Sequence, residues 1–385
     1  MSENNEIKEP SNKNNKVPKI RFSKFNDAWE YKELKDISKD NSYGLNASSK
    51  KYDGFNKYIR ITDIDDETNN FLHIDLTSPD CELDDFYKLK SNDLLFARTG
   101  ASTGKTYLYS SDDGNVYFAG YLIRFRINKT INASFIFFQT KTKKFQNWIK
   151  IYSKRSGQPG INAYEYGKYR FALCSIEEQN KIAIFLDILD KKMKFLKAKI
   201  ETLKKYKEGI IKNLVNRSNK HVRFLNLISL YDKTRLPSSI GKESGKYKFF
   251  INSSNEETKW SDDYIFDGEY IIMNTGGSAY TNYINGKFSA MSDCLIIKPQ
   301  NRYSIALYYW LKAKERMIDK VGFQGTGLKH LDLNWLLRKN ISLIEYNNKK
   351  LIKLNASLDY LINLNSLMLA KLIRVKKGLL DTMFI

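Results

Sequence analysis

The sequence predicts an α+β protein in which two mixed α/β domains alternate with two long helices. The halves are related by an internal repeat, and the helices pair antiparallel as a coiled coil with pseudo-two-fold symmetry. Three observations lead there. Two segments repeat at a separation of 169 residues, and both carry the same apolar seam. Each is preceded by a β-rich run ending in Thr-Gly and, further on, by a glycine-rich loop.

The repeat is plainest near the end of the chain. Tyr206-Lys-Glu-Gly-Ile-Ile-Lys-Asn-Leu-Val215 matches Val375-Lys-Lys-Gly-Leu-Leu-Asp-Thr-Met-Phe384, with Gly209 on Gly378. Walking back, Ile182, Leu186, Leu189, Met193, Leu196, Ile200, Leu203, Lys207, Ile210 and Leu214 step by fours and threes. The second copy has Leu351, Asn355, Leu358, Ile362, Asn365, Leu369, Leu372, Lys376, Leu379 and Met383. Such spacing over four heptads is a coiled-coil seam. Ordinary amphipathic helices would rarely share both the register and its interruption by Lys207 and Lys376. The expected interface residues are Ile182, Leu186, Leu189, Leu196, Ile200 and Leu203 against Leu351, Leu358, Ile362, Leu369 and Leu372. Asn355 and Asn365 on the seam trade stability for register. An antiparallel pair would set the domains at opposite ends of a rod of roughly 50 Å, from 1.5 Å per residue over 182–214.

These marks divide the chain into a disordered tail (1–17), a first domain (18–175), a central helix (176–220), a second domain (221–342) and a C-terminal helix (343–385). Asp93-Leu-Leu-Phe-Ala-Arg-Thr-Gly100 parallels Glu269-Tyr-Ile-Ile-Met-Asn-Thr-Gly276. Ser156-Gly-Gln-Pro-Gly-Ile161 parallels Phe323-Gln-Gly-Thr-Gly-Leu328. Tyr58 to Ile61, Val116 to Phe118 and Leu122 to Ile127 read as strands. Ser134 to Tyr152 and Ser304 to Val321 carry helical apolar spacing.

Composition narrows the function. Hydrophobic residues are 42% and aromatic residues 14% of the 385, which excludes wholesale disorder. The net charge of +21 favours a polyanionic partner, nucleic acid before an anionic membrane surface; the alternative is a Lys-, Asn- and Ile-rich composition from an AT-rich genome. Cys81, Cys174 and Cys294 lack CxxC spacing, so neither a disulfide framework nor a zinc ribbon fits. His73, His221 and His330 have no partner at ligand spacing, so no metal site is expected. With no apolar leader and no apolar run of membrane length, a soluble, cytoplasmic protein is expected.

Gly100-Ala-Ser-Thr-Gly104-Lys105-Thr106 resembles a P-loop but has three residues between its glycines where four are needed, so ATP binding is not expected. What survives is a loop of Arg98, Thr99, Gly100, Ser102, Thr103 and Lys105 whose amides, hydroxyls and cations suit a phosphate. Lys154, Arg155, Ser156 and Gln158 form a second basic loop with residue types that pair with base edges. The corresponding stretches of the second half supply Asn274, Thr275, Ser278 and Tyr280, then Gln324 and Lys329. These sixteen residues are the expected DNA contacts; each loop also reads as an ordinary basic surface turn. Lys181 to Lys220 holds twelve Lys or Arg against four acidic residues, a solvated face or a surface for a polyanion or acidic helices. No catalytic constellation emerges. Asp63, Asp65 and Asp66 read as a surface turn.

Val17-Pro-Lys-Ile-Arg-Phe22 with Trp29-Glu-Tyr-Lys-Glu-Leu34, Leu95-Phe-Ala-Arg-Thr-Gly-Ala-Ser-Thr-Gly-Lys-Thr106 and Ser175-Ile-Glu-Glu-Gln-Asn-Lys-Ile-Ala183 resemble the specificity subunits of type I restriction–modification systems. The resemblance spans about 17–385, closer in the first half; Asn274-Thr-Gly-Gly277 and Leu343-Ile-Glu-Tyr-Asn-Asn-Lys depart from it. It implies two target recognition domains, each reading half of a split double-stranded DNA target, with the helices fixing their separation. Two methyltransferase subunits would dock on the helices, and restriction/translocase subunits would join them. S-adenosylmethionine, ATP and Mg would belong to those partners, with no cofactor and no activity on this chain. The rival readings are a basic coiled-coil adaptor without sequence preference and a nuclease or ATPase.

Overall fold

The computed structural model describes residues 17–154, 158–216, 220–252, 259–300, 303–343 and 349–385. The expected disordered tail, save Val17, lies outside them, as do Arg155 and Ser156. Two compact units emerge: the chain to Phe195 with Met368–Ile385, and Leu196–Leu367.

In chain order the first unit contains β1 (Glu30–Glu33), β2 (Ser38–Tyr43), β3 (Ser49–Lys51), β4 (Lys57–Ile59), β5 (Thr77–Pro79), β6 (Asp93–Ala97), β7 (Thr106–Leu108), β8 (Val116–Phe118) and β9 (Leu122–Ile127). Then come α1 (Ala133–Thr140), α2 (Lys143–Tyr152), α3 (Ala163–Gly167) and β10 (Arg170–Leu173). The central sheet runs β2-β9-β6-β7, antiparallel throughout. After Asp93, strand β6 is apolar without alternation (Leu94–Ala97) because it is covered on both faces. Leu94 and Phe96 enter the core shared with α1 and α2, where Phe125, Phe135, Phe138 and Phe145 are fully buried. Leu95 and Ala97 point the other way, among Tyr107, Val116, Phe118 and Leu122. The helical spacing expected over Ser134–Tyr152 is realised as two helices, α1 and α2. Thr142 turns extended (φ −73°, ψ 154°) and caps the second piece by accepting from the Phe145 amide.

The second domain repeats the plan with β11 (Lys220–Arg223), β12 (Ile228–Asp232), β13 (Tyr247–Phe250), β14 (Lys259–Ser261), β15 (Phe266–Asn274), β16 (Thr281–Ala290) and β17 (Cys294–Pro299). These are followed by α5 (Ser304–Val321), β18 (Phe323–Gln324), β19 (His330–Leu331), α6 (Leu333–Arg338) and β20 (Asn340–Leu343). Its sheet is β12-β17-β15-β16-β13-β14. Ile271 and Met273 face α5, while Tyr270 and Ile272 face a second cluster with Phe288 and Cys294. The likeness reaches irregular details. The β2–β9 pairing shifts register between Ser38 and Asp40, and β12–β17 between Ile228 and Leu230. Asn162 caps α3, and Asp332 caps α6 in the same way.

The long helices are α4 (Ile176–Asn216) and α7 (Lys349–Thr382). On α4, Ile182, Leu186, Leu196 and Ile200 are buried, and Leu189 and Leu203 partly so. On α7, Asn355, Leu358 and Asn365 are buried, with Ile362, Leu369 and Leu372 partly covered. The Leu351 side chain is outside the described residues. In the first unit Asp190 of α4 takes a hydrogen-bonded ion pair from Lys376 of α7. Within the second unit, Lys207 of α4 pairs with Asp359 of α7. The repeat offset carries Asp190 onto Asp359 and Lys207 onto Lys376, so the interruption in each seam is a lysine reaching the other helix.

The first unit also explains the opening motifs. The Ile20 amide donates to Thr382 O at 3.0 Å. Arg21 makes a two-pronged bond to Glu178 at 2.7 Å in each arm. Trp29, fully buried, packs on Phe135 and Phe384. Val17–Phe22, Trp29 and Ser175–Ala183 therefore belong to one joint, where both helices meet the first domain. No helix among the described residues is long and apolar enough to cross a membrane.

Candidate nucleic-acid interface

The loop between β6 and β7 is stitched to the loop before α3. The Gly100 amide donates to Pro159 O (2.9 Å) and the Ile161 amide to Arg98 O (2.9 Å), and Thr99 bridges Gly160. The first two expected groups of contacts are thus one surface. Gly100 has φ +75°, a conformation glycine adopts freely, and a side chain there would lie 3.0 Å from Gln158 Nε2. Thr103 Oγ1 turns back to donate to Gly100 O at 2.7 Å.

The second domain builds the same stitch. The Gly277 amide donates to Lys329 O (2.8 Å) and the Leu331 amide to Thr275 O (2.9 Å), while Gly276 bridges His330. Gly277 has φ +77°. This fixes the correspondence between the domains: Gly100 answers to Gly277, Arg98 to Thr275 and Pro159 to Lys329. The Thr-Gly match at Gly276 is therefore one residue out, and the match of Ser156–Ile161 to Phe323–Leu328 is three out. The second loop is two residues shorter, since Thr106 and Thr281 hold equivalent places opposite Phe96 and Met273.

The expected residues are not equally accessible. Lys154 and Gln158 are exposed, Arg98, Ser102 and Thr103 partly so. The Arg98 guanidinium lies over the Tyr43 ring, 4.9 Å from its centroid. The Lys105 ammonium is turned inward, bonded to Ile64 O (2.9 Å) and paired with Asp66. Its loop joins two antiparallel strands, unlike the strand-to-helix turn of a P-loop. In the second domain Gln324 and Lys329 are exposed, and Ser278 and Tyr280 partly covered. Asn274 and Thr275 are buried at 3% and 7% exposure, and Thr275 Oγ1 donates to Asp293 O at 2.8 Å. Those two shape the loop from within.

Sequence reasoning missed three exposed tyrosines. Tyr43 carries Arg98 and accepts from the Ala163 amide at 3.2 Å; Tyr121 bonds Arg98 through its backbone; Tyr164, in α3 just after the second of these loops, is 69% exposed, with Lys168 4.3 Å from its ring centroid. Aromatic–cation pairs of this kind suit stacking and phosphate contact. No signal in the chain marks them, because their meaning comes from which loops the fold joins.

The family of type I restriction modification DNA specificity domains matches residues 26–205 and again 220–377. The chain belongs to this specificity family. It carries two copies, each a domain with its long helix. A protein of Methanocaldococcus jannaschii named for the specificity subunit of a type I restriction enzyme, MjaX, is 27% identical over 202 residues, 51% of this chain and 47% of that protein. The match thus spans about half the length of that relative. The crystal structure of the type I restriction–modification S subunit from M. genitalium superposes with a TM-score of 0.68 at 16% identity, covering 96% of this chain and 99% of that one. A structure described in terms of complex assembly and conformational transition of the type I system gives 0.50 at 15%, over 92% and 97%. These likenesses extend the specificity-family fold, two recognition domains among helices, over nearly the whole chain.

Proposed function

We propose that this chain reads a split, bipartite double-stranded DNA target, one half through each domain, and is the non-catalytic recognition subunit of a type I restriction–modification complex. The observation that carries this is the stitched loop pair built twice: Gly100 on Pro159, Gly277 on Lys329. Two equivalent readers on one chain suit two half-sites. Lysines and arginines supply sequence-blind affinity by releasing counterions from phosphates. Exposed loop residues such as Gln158 and Gln324 then discriminate bases in the grooves, each good two-pronged pair being worth about 1–3 kcal/mol. The paired helices act as the ruler between half-sites.

Two methyltransferase subunits dock on the helices in this reading, and restriction/translocase subunits bind in the full complex. In support, α4 leaves Ile184, Ile188 and Phe195 58–60% exposed, and α7 leaves Tyr360 and Leu367 exposed at 66% and 62%. Large apolar side chains in solvent along a helix mark a protein interface. S-adenosylmethionine, ATP and Mg belong to those partners.

The test is a map of adenine methylation in a host without other such systems, expressing the methyltransferase partner with and without this chain. A split motif that arises only with the chain is the expected result. A soluble complex with no chain-dependent motif would replace this reading with that of an adaptor without sequence preference.

A further inference from the structure

The two domains hold the same loop by different chemistry. In the first, Gly104 seats against Ile149, to which an added Cβ would come within 2.6 Å, and Thr106 bonds Thr140 at 2.8 Å in a buried hydroxyl pair. The backbone of Thr106 is tied down by Asn69, whose amide donates to Thr106 O at 2.9 Å. In the second domain one face of α5 performs these tasks with charge. Glu315 Oε1 accepts from the Thr281 amide at 2.6 Å, and Asp319 accepts from the Ala279 amide. Lys312 donates to Thr281 O (3.2 Å) and Glu315 (3.0 Å), and its ammonium lies 4.2 Å from the Tyr280 ring centroid. Lys312, Glu315 and Asp319 are spaced by three and four, so one helical face presents all of them.

We infer that Glu315 and Asp319 are positioning residues for the second recognition loop, fixing the backbone of 279–281 and with it the base preference of one half-site only. The inference rests on the DNA-reading function proposed above. Backbone amides given to carboxylates are charge-assisted bonds that hold geometry more firmly than neutral ones. Residues that bracket a recognition loop from behind set where its side chains reach, and small displacements there are expensive. The first loop is backed instead by Ile149, Thr140 and Asn69, so the effect is confined to the second.

The experiment is methylation mapping of the full chain with its methyltransferase partner, comparing wild type with Glu315→Gln and Asp319→Ala, and with Asp319→Glu as the conservative variant. Expected is a relaxed second half-site, methylation at single-base mismatches there rising about tenfold, with the first half-site unchanged and Asp319→Glu nearer wild type. A merely structural role would lower methylation at all sites while leaving both halves of the motif as they were; that result, or an unaltered motif at full extent, overturns the inference. If Glu315→Gln fails to accumulate, Asp319→Ala gives the same reading from the other end of the loop. A wild-type chain that yields no split motif overturns the recognition function, and this inference with it.

Discussion

At the scale of single residues, Gly100 and Gly277 share a backbone conformation but not surroundings. A Cβ at Gly277 meets nothing within 4 Å, whereas one at Gly100 meets Gln158. Gly277→Ala should therefore cost about 1 kcal/mol, the strain of a positive φ alone. Gly100→Ala should cost more and also displace Gln158, weakening DNA binding; urea titration and a gel shift of the pair separate these effects. Lys141 offers a second test. Burial, reinforced by Lys376, lowers its ammonium to about 7, while it donates to Thr68 O at 2.9 Å. Between pH 7 and about 10 the unfolded chain holds a proton there that the folded chain has lost, so stability rises with pH across that window. Lys141→Met should flatten this rise and raise stability at pH 7 by a few kcal/mol, measured by thermal unfolding at several pH values.

At the scale of elements, the long helices were the most legible part. Their four-three spacing is dictated by helical geometry, and the described positions of the seam are buried or partly covered. The ion pairs were not legible: Lys207 and Lys376 stood out as defects in the seam, but Asp190 and Asp359 lie off it and acquire meaning only once the helices face each other. A double-mutant cycle on Lys207→Met and Asp359→Asn should give a coupling of about 0.5–1 kcal/mol, modest because Asp359 is half exposed. Reversing both charges should recover most of it. The loops were legible by composition and misaligned by one and three residues. Thr-Gly recurs in both, but the glycine equivalent to Gly100 is the next one, Gly277, which takes the positive φ; the two residues the second loop lacks fall after it. The break at Thr142 was masked by apolar runs on both sides, Phe135 to Phe138 before it and Phe145, Trp148 and Ile149 after it, which together keep a helical spacing.

At the scale of the whole molecule, the charge of +21 makes any DNA affinity steeply salt-dependent. Lys154→Ala with Lys329→Ala should lower the slope of log affinity against log salt by about two without altering the motif. If the helices are the ruler, deleting one heptad from each should shorten the preferred spacer in the methylation map; an unchanged spacer would end that idea. The site as a surface was the least legible feature. Arg98, Gln158 and Tyr43 come from three distant stretches of sequence, and only the stitch at Gly100 brings them together.

The pairing of Asp190 with Lys376 and of Asp359 with Lys207 has a genetic consequence. To these two bridges each helix contributes one acid and one base, and each meets its complement in the other copy. Duplication of a single ancestral half-gene would supply both bridges at once, with no second lineage of compensating mutations. Later recombination that exchanges one domain for another upstream of its helix leaves the match intact. If each domain reads its half of the target as proposed, target preference can be inherited piecewise while the framework that joins the pieces stays compatible.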